Sequence, residues 1–360
     1  MGYEVDFLAV GEGERSGDAI AIRFGNLHGT RQEQAVIVID GGFKESGEKL
    51  VDHIKKYYLT DTVDLVVSTH PDFDHSSGLE VVLEKLKVNH LWMHKPWEHA
   101  TEINNAFVNG RVTSTGIREN LRKSLEDVRT LETIAKRKGI PITEPFAGTS
   151  AFNGALLVLG PTKDFYNGLL PAFNCLPESK EDRNIFSKVL SQAEDFIIKV
   201  AESWHIETLS DDGETSAEND SSTILLLQVD GKSLLFTGDA GQPALNNAVS
   251  LLEKVNFDFS SLGFLQVPHH GSHRNIGPSI LNRLLGDRQP AEIELRSSCV
   301  SVSKDNNGKH PSKRVTNAFK RRGAPVHETR GQSKCHSYES PGRYGWYASA
   351  PLPLYSEFEE

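Results

Sequence analysis

Cysteine is scarce in this chain, which has Cys175, Cys299 and Cys335 among its 360 residues. Their odd number and wide spacing fit a reducing compartment and argue against a cysteine-based zinc site. No apolar run approaches the ~20 residues that a membrane-spanning helix requires. Residues 1–6 are acidic and strand-like, so we expect no signal peptide there and a cytoplasmic location.

Positive charge is also in short supply. Lys and Arg number 39 against 49 Asp and Glu, which gives a formal net charge of −10 at pH 7. Proteins whose main task is unaided nucleic-acid binding usually have the opposite sign. The total charge therefore weakens a nuclease interpretation without excluding it, because bound metal ions and local basic patches reverse the charge at a site.

A cluster of metal-ligand side chains directly follows an apolar run. Residues 63–67 are short and β-branched, a pattern typical of a buried strand. The next residues include His70, Asp72, Asp74 and His75. Imidazole nitrogens mixed with carboxylate oxygens suit Zn, Mn or Fe rather than Ca. One His beside one Asp would fit an ordinary solvated turn, but four such residues at one strand end favour a metal site.

Two further predicted strands end in the same kinds of side chain. A hairpin of residues 223–229 and 233–237, joined by an Asp-Gly turn, leads to Asp239. Another strand, residues 263–267, leads to His269 and His270. Strand ends gather along one edge of a parallel or mixed sheet. The sequence therefore predicts that these residues, though distant along the chain, surround one site.

Strand-like and helix-like segments alternate along the chain, which predicts a layered α/β fold. Other strands are expected at residues 18–24, 35–40, 90–93, 155–159, 299–303 and 325–329, and helices at 46–59, 76–86, 117–138, 181–205, 243–254 and 312–322. We interpret residues 1–360 as a single domain, in which residues 95–218 contain a largely helical insertion or cap.

Taken in order, these motifs resemble the metallo-β-lactamase superfamily, whose signature is His-x-His-x-Asp-His, then a bridging Asp after a strand, then a final His. Asp72 stands where the second His is usual. The variant His-x-Asp-x-Asp-His is most similar to the metallo-hydrolase domain of DNA-uptake competence proteins. Other parts of this likeness are Gly-Asp-Ala-Ile at 17–20, Ile-Asp-Gly-Gly at 39–42, Leu-Leu-Phe-Thr-Gly-Asp-Ala at 234–240 and Val-Pro-His-His-Gly-Ser at 267–272. Residues 95–218 match poorly.

The resemblance implies a four-layer αββα sandwich that carries two divalent metal ions, Zn or Mn. It implies the ligands His70 and Asp72 for one ion, the ligands Asp74, His75 and His270 for the other, and Asp239 as the bridge. A carboxylate can bridge two cations, which an imidazole nitrogen cannot do. Two such ions lower the pKa of a water between them and clamp the attacked oxygen.

Three residues around this centre have further expected roles. Asp220 is a candidate metal ligand, because it lies where many relatives place another His. Asp74, beside His75, is expected to orient the attacking water. His269 is expected either to contact the substrate or to support the site, since the family pattern makes His270 the ligand.

The resemblance favours a metal-dependent hydrolase of phosphodiester bonds, either a nuclease or a nucleotide phosphodiesterase, so we expect a nucleic-acid or nucleotide substrate. Residues 304–322 contain seven Lys or Arg and one acidic residue. We expect the helix that begins near Ser312 to receive the substrate phosphate, with His310 contacting the phosphate or the leaving oxygen. The basic residues expected to assist are Lys309, Lys313, Arg314, Lys320, Arg321 and Arg322.

Three alternatives stay open at this stage. The same metals would serve hydrolysis of a small ester, a thioester or a lactam. A non-catalytic metal-fold protein that binds a partner or nucleic acid is a second alternative, which the intact ligand set disfavours. The basic helix would then be a solvated surface that balances an acidic protein. A protein partner is left open by the sequence.

Overall fold

Two β-sheets form the centre of the structure, a computed structural model that describes residues 1–11, 13–106, 113–174, 176, 199–306 and 308–359. Its strands are β1 Gly2–Phe7, β2 Ala19–Gly25, β3 Gln34–Gly41, β4 Thr62–Val63, β5 Leu65–Val67, β6 Lys87–Val88, β7 Leu91–Trp92, β8 Ile142–Thr143, β9 Ser150–Ala151, β10 Leu156–Gly160, β11 Lys199–Ala201, β12 Ile224–Val229, β13 Lys232–Phe236, β14 Leu262–Gln266, β15 Ser297–Val300, β16 Val326–Glu328, β17 Lys334–Tyr338 and β18 Glu357–Glu359. Its helices are α1 Lys44–Tyr57, α2 Phe73–Lys85, α3 Ala100–Ile103, α4 Ser114–Ser124, α5 Glu126–Lys138, α6 Lys163–Leu169, α7 Ala217–Asp220, α8 Gln242–Lys254, α9 Pro278–Leu285 and α10 Lys313–Arg321.

Each large sheet is mixed. The first has the strand order β17-β1-β2-β3-β5-β7-β8, and β3, β5, β7 and β8 run parallel. The second has the order β16-β15-β14-β13-β12-β10-β9, and β13 to β16 run parallel. The carboxyl ends of neighbouring parallel strands lie at the same sheet edge. The loops after β13 and β14 therefore lie together at one edge of the second sheet, and a hydrogen bond from the Thr223 N–H to the Thr69 carbonyl brings the loop after β5 to them.

The strand side chains alternate between two apolar layers. In β2, Ile20, Ile22 and Phe24 pack between the two sheets, whereas Ala19 and Ala21 pack under the helices. Helices α1, α2 and α5 cover the outer face of the first sheet, and α8, α9 and α10 cover the second. Burial of each large apolar side chain contributes about 1.5–3 kcal/mol. The predicted four-layer αββα sandwich is confirmed.

A close approach between α2 and the end of β3 positions part of the site. A Cβ on Gly78 would lie 2.0 Å from the carbonyl oxygen of Gly41, so only glycine fits here. The Gly78 N–H donates to the Gly42 carbonyl at 2.8 Å. This contact brings the first turn of α2, which carries His75, next to Asp40 in β3.

Residues 95–218 are largely helical where the structure describes them, and they also supply the short strands β8, β9 and β10 to the two sheets. The segment predicted as one helix at 117–138 forms α4 and α5, which meet at Leu125. Gly139, in the left-handed region with φ 68°, ends α5.

The helix predicted at 181–205 is wrong at its carboxyl end. Residues 181–198 lie outside the described residues, and Lys199–Ala201 form β11, where Val200 pairs with Phe358 of β18. A partner more than 150 residues later in the chain decides this conformation, which no local pattern reveals. In the described ranges, no helix combines the length and the apolar character that crossing a bilayer requires.

Candidate metal centre

The loops after β5, β13 and β14 bring most of the predicted ligands to one place. His70 follows β5, Asp72 immediately precedes α2, and His75 lies in the first turn of α2. The two sheets are joined at this edge, since the Thr223 N–H donates to the Thr69 carbonyl at 3.0 Å. The side chains that meet here are His70, Asp72, Asp74, His75, Asp239, His269 and His270.

Four imidazole rings converge on a single oxygen of Asp239. The distances from Nε2 to Asp239 Oδ2 are 3.8 Å for His70, 3.4 Å for His75, 3.7 Å for His269 and 3.8 Å for His270. Two ligand atoms that are each about 2.1 Å from one tetrahedral ion lie about 3.4 Å apart. The observed separations are therefore those expected for groups that share metal ions.

Hydrogen bonds at Nδ1 direct the other ring nitrogen of three histidines towards Asp239. His75 Nδ1 donates to Asp40 Oδ2 at 2.9 Å, and His270 Nδ1 donates to the Ser301 carbonyl at 3.0 Å. His70 Nδ1 lies 3.0 Å from Thr69 Oγ1, which itself donates to Asp40 Oδ2 at 2.6 Å. Each ring thus carries its proton on Nδ1 and presents the lone pair of Nε2 to the centre.

The atoms that face the centre have no hydrogen-bond partner among the described residues. This is true of Nε2 of His70, His75 and His270, and of Asp239 Oδ1, all of which are buried. Buried polar atoms are nearly always paired, because an unpaired one costs about 1–3 kcal/mol. Several unpaired acceptors aimed at one point fit a cation, so the residues present fit the metal centre that the sequence predicts.

The carboxylates fall into two groups around Asp239. Asp72 Oδ2 lies 3.7 Å from His70 Nε2. Asp74 groups with His75 and His270, with ligand atoms within 4.8 Å of one another. Another such group joins Asp40, His70 and His75, so the division of ligands between two ions stays a prediction.

The charge state of Asp239 is set by its neighbours. Burial alone would raise its pKa, but the imidazoles of His75, His269 and His270 outweigh burial and hold the pKa well below its usual range. Asp239 is therefore anionic at neutral pH, as a bridging ligand must be.

Two buried carboxylates near the centre were not predicted as site residues. Asp40 bonds His75, as described above, and Asp18 groups with His75 and Asp239 within 4.8 Å. Gln266 Nε2 donates to Asp18 Oδ2 at 2.8 Å, while Asp18 Oδ1 is buried without a partner among the described residues. Both lie in motifs that carry the family resemblance, Asp18 just before β2 and Asp40 near the end of β3, so an acidic residue next to an apolar strand was the available signal.

Asp220, the additional ligand candidate, is the last residue of α7. Its Oδ1 accepts a hydrogen bond from the Gly241 N–H at 3.0 Å, at the start of α8, and burial raises its pKa to about 6. Among the described residues, it does not belong to the groups of ligand atoms gathered around Asp239. The neighbouring Asn219 is the residue that reaches this region, with Nδ2 3.3 Å from His269 Nδ1.

His310 and the start of α10 lie beside the metal ligands. The His310 and His269 rings are nearly parallel, with centroids 6.5 Å apart, and His310 Nδ1 is buried without a hydrogen-bond partner among the described residues. Burial, together with His270 and His269, lowers the pKa of His310 to about 4. The Ser312 N–H donates to the Gly271 carbonyl at 2.9 Å, which seats the first turn of α10 on the histidine loop.

The basic residues of α10 divide into two sets. Lys309 is exposed, Arg314 is half-buried, and the Lys313 ammonium lies 5.6 Å from the Tyr355 ring centre and 5.7 Å from that of Phe358. The other set is buried in ion pairs, which are Lys320–Glu292 at 2.6 Å, Arg321–Glu202 at 2.7 Å and Arg322–Glu207 at 2.7 Å. The expectation that this second set faces the substrate is wrong, because acidic residues of other segments neutralise it.

Fold and site together define an αββα protein with a candidate metal centre at one sheet edge. Residues 30–103 match the family model of the Metallo-beta-lactamase superfamily. This match covers His70, Asp72, Asp74 and His75, and it supports the superfamily resemblance in the part of the chain that carries the first ligand motif. No curated protein matched the chain in a sequence comparison.

Solved structures with a similar fold include a Thermotoga maritima protein provisionally classed as a metallo-beta-lactamase, with 12% identity and a TM-score of 0.35 over 71% of this chain and 92% of that chain. Another is the hydrolase AbOPH of the beta lactamase superfamily, with 11% identity and a TM-score of 0.33 over 66% and 68% of the two chains. A third is the metallo-beta-lactamase SMB-1 bound to 2-mercaptoethanesulfonate, with 9% identity and a TM-score of 0.30 over 78% and 86%. Because all three TM-scores are below 0.5, the fold assignment rests on the chain's own sheets and helices.

Proposed function

We propose that this chain is a metal-dependent hydrolase that cleaves phosphodiester bonds, acting as a nucleotide phosphodiesterase or a nuclease. The observation that carries the proposal is the convergence of four imidazole Nε2 atoms on Asp239 Oδ2, within 3.4–3.8 Å. A purely structural histidine cluster would pair these nitrogens with protein donors. Here three of them are buried without such a partner among the described residues.

The proposed ligands are His70 and Asp72 for one ion and Asp74, His75 and His270 for the other, with Asp239 between them. When bound, two divalent ions such as Zn or Mn supply acidity to a coordinated water and Lewis acidity to the attacked group. Within the chain, Asp40 and the Ser301 carbonyl fix the orientation of His75 and His270. Asp74, beside His75, would orient the attacking water.

A phosphodiester substrate is supported by what surrounds the centre. The first turn of α10 rests on the histidine loop through the Ser312–Gly271 hydrogen bond. The amino-terminal end of a helix favours an anion, because its first N–H groups lack partners within the helix. His310 would contact the phosphate or the leaving oxygen. Lys309, Lys313 and Arg314 are basic residues in the first turn of α10 or shortly before it.

The charge distribution favours a compact substrate over a long polymer. The net charge is −10, and Lys320, Arg321 and Arg322 are neutralised by glutamates. A polyanion would need a longer track of free positive charge. We also propose that residues 95–218 cap the site, since Glu218 at the end of this segment is buried near the centre, where burial and the neighbouring Asp72 carboxylate raise its pKa. The similarity to competence proteins gave the phosphodiester class, and we propose a nucleotide as the first substrate to test.

A second candidate function is hydrolysis of a small ester, a thioester or a lactam. It needs the same metal centre, and the neutralisation of Lys320, Arg321 and Arg322 by glutamates favours it relative to nucleic-acid cleavage. A non-catalytic, partner-binding function is the third candidate, and the convergence of so many potential metal ligands disfavours it.

The deciding experiment loads the purified chain with Zn or Mn and measures hydrolysis of five substrates. These are bis(p-nitrophenyl) phosphate, a cyclic dinucleotide, single-stranded DNA, RNA and a chromogenic lactam. We expect turnover of the two small phosphodiesters, loss of turnover with a chelator, and recovery when metal is restored. Turnover of the lactam alone would favour the second candidate, and metal binding without any turnover would favour the third.

A further inference from the structure

His269 is more exposed than the three histidines assigned to metal binding, but it approaches Asp239 as closely as they do. Its Nε2 lies 3.7 Å from Asp239 Oδ2, a distance between those of His75 and His270. Resting on the proposed function, which supplies the metal centre, we infer that His269 is a metal ligand. It would hold the ion shared by His70 and Asp72, and so provide the imidazole that the His-x-Asp-x-Asp-His motif lacks.

The proton of His269 is fixed by Asn275. Asn275 is fully buried, and its Nδ2 donates to the carbonyl of Asp239 at 2.8 Å. The amide oxygen must therefore face His269, where it lies 2.9 Å from Nδ1. An amide oxygen can only accept, so Nδ1 carries the proton and Nε2 presents its lone pair to the centre. Asn219 Nδ2 is also 3.3 Å from this nitrogen, but the shorter Asn275 contact decides the tautomer.

The backbone of the histidine loop is bent so that two consecutive rings face the same oxygen. His269 and His270 both have positive φ, at 46° and 52°. A residue other than glycine in this region costs of order 1–3 kcal/mol, and such strain persists mainly where the surrounding structure imposes it. If only one histidine of this loop were a ligand, only one ring would have to point towards Asp239. In this backbone conformation both rings do so.

The ligand count supports the assignment to the first ion. Asp74, His75 and His270 form one group around the second ion. Without His269, the first ion would have only His70 and Asp72 besides the shared Asp239. With His269, each ion has three ligands of its own and shares Asp239. The His269 side chain is 30% exposed, so this ion would lie on the open side, where a substrate enters.

The test measures metal binding directly, apart from activity. We would determine Zn content after dialysis, Zn affinity by chelator competition, and the visible absorption of the Co(II)-substituted protein. The wild-type chain is expected to bind two ions. His269→Ala is expected to keep one ion at wild-type affinity and to bind the other at least about a hundredfold more weakly, since even loss of a group behind a ligand costs 10–100-fold.

Matched variants locate the lost ion. His310→Ala removes a neighbouring ring that is not proposed as a ligand, and it should bind two ions. Pairing His269→Ala with His70→Ala should leave one ion, because both ligands belong to the same site. The double variant with His269→Ala and His270→Ala should bind no ion, because each of the two sites has lost a ligand. Wild-type affinity for both ions in His269→Ala would overturn the inference and make His269 a substrate contact.

Two controls keep the outcome interpretable. The melting temperature of the metal-free His269→Ala protein should equal that of the metal-free wild type. Should it be lower, His269→Asp, which keeps a ligand oxygen, must restore binding of the ion at the His70 and Asp72 site, and failure to do so overturns the inference. Two bound ions in the wild type without phosphodiester cleavage would contradict the proposed function alone and leave the role of His269 intact.

Discussion

Asp40 orients side chains of the centre through atoms that do not face Asp239. Its Oδ2 accepts from His75 Nδ1 at 2.9 Å and from Thr69 Oγ1 at 2.6 Å, and Thr69 passes this order on to His70. The sequence marks Asp40 as part of a motif, but its partners follow 29 and 35 residues later. Its role as a positioning residue is visible only in three dimensions.

Substituting Asp40 tests this positioning. Asp40→Asn replaces a carboxylate that holds two groups with a neutral amide, so His75 loses its charged acceptor. Metal affinity is expected to fall about 10–100-fold, the usual effect of losing a group that orients a ligand. Chelator competition measures it. Asp64→Asn is the matched control, because Asp64 bonds Arg31 and Val36 away from the centre. Equal affinities in both variants would contradict the prediction.

Asp239 and His75 test the centre itself. Asp239→Asn removes the charge on which four rings converge, and His75→Ala removes the ring nearest to it. Each is expected to reduce hydrolysis by at least about a hundredfold, because activation of water depends on the metal ligands. The fold should persist, since Asp239 Oδ1 and His75 Nε2 make no hydrogen bond within the described residues. Circular dichroism checks the fold, and full turnover by metal-loaded Asp239→Asn would argue against bridging.

At the scale of elements, the sequence predicted the strands that carry ligands but not the surroundings of α10. The strands β5, β13 and β14 are apolar runs followed by candidate ligand side chains, so the positions of their ends could be predicted from the local sequence. The burial of Arg321 could not, because its partner Glu202 is 119 residues away. A run of basic residues looks the same in sequence whether it faces solvent or buried glutamates. The location of His310 beside the ligands, by contrast, agrees with the resemblance.

The salt dependence of phosphodiester cleavage tests the role of Lys313 and Arg314 in α10. If Lys313 and Arg314 attract the substrate phosphate, phosphodiester cleavage should decrease as salt increases, because ions screen the attraction. Replacing both with Gln should flatten this dependence of kcat/KM. The control replaces two exposed lysines of other helices, Lys55→Gln and Lys254→Gln, which removes the same charge elsewhere. An unchanged salt response in the α10 variant, with preference for a neutral ester, would favour the small-ester function.

At the scale of the molecule, the carboxyl-terminal segment ties the chain into one unit. The strand β17 pairs with β1, so the last part of the chain completes the first sheet. Arg343 then reaches under α1, where it bonds both oxygens of Asp6 at 2.6 and 2.9 Å and Glu4 at 2.8 Å. The Trp346 ring lies 5.1 Å from its guanidinium. These contacts support the proposal that residues 1–360 form one domain.

Removing Arg343 should destabilise the whole fold. Glu4 keeps Arg23 at 2.6 Å, but the fully buried Asp6 loses its guanidinium partner. Asp6 keeps the Tyr58 hydroxyl at 2.6 Å and His53 Nε2 at 3.1 Å as partners. Leaving a buried charge without its partner typically costs about 3–5 kcal/mol. Urea unfolding of Arg343→Met at pH 7 should therefore show a loss of this order. Lys334→Met, which removes a half-exposed charge from β17, is the matched control and should change little.

The pH dependence identifies Asp6 as the origin of that loss. Burial alone would raise the pKa of Asp6, but hydrogen bonds from His53 and Arg343 outweigh it and lower the pKa below its usual value. A group with a lowered folded pKa stabilises the protein above its unfolded pKa of about 3.9, and this contribution disappears as the pH falls. Without Arg343 the pKa of Asp6 in the folded protein is higher. Ionised Asp6 then contributes less to the free energy of unfolding at pH 7, and less is lost as the pH falls. The difference in unfolding free energy between wild type and Arg343→Met should thus be largest near pH 7 and shrink towards pH 3.

The metal centre is common to both proteins and cancels in the difference, particularly when both are measured with chelator. A difference that stays constant from pH 7 to pH 3 would show that Arg343 acts through packing against Tyr57 and Trp346 and not through the charge of Asp6.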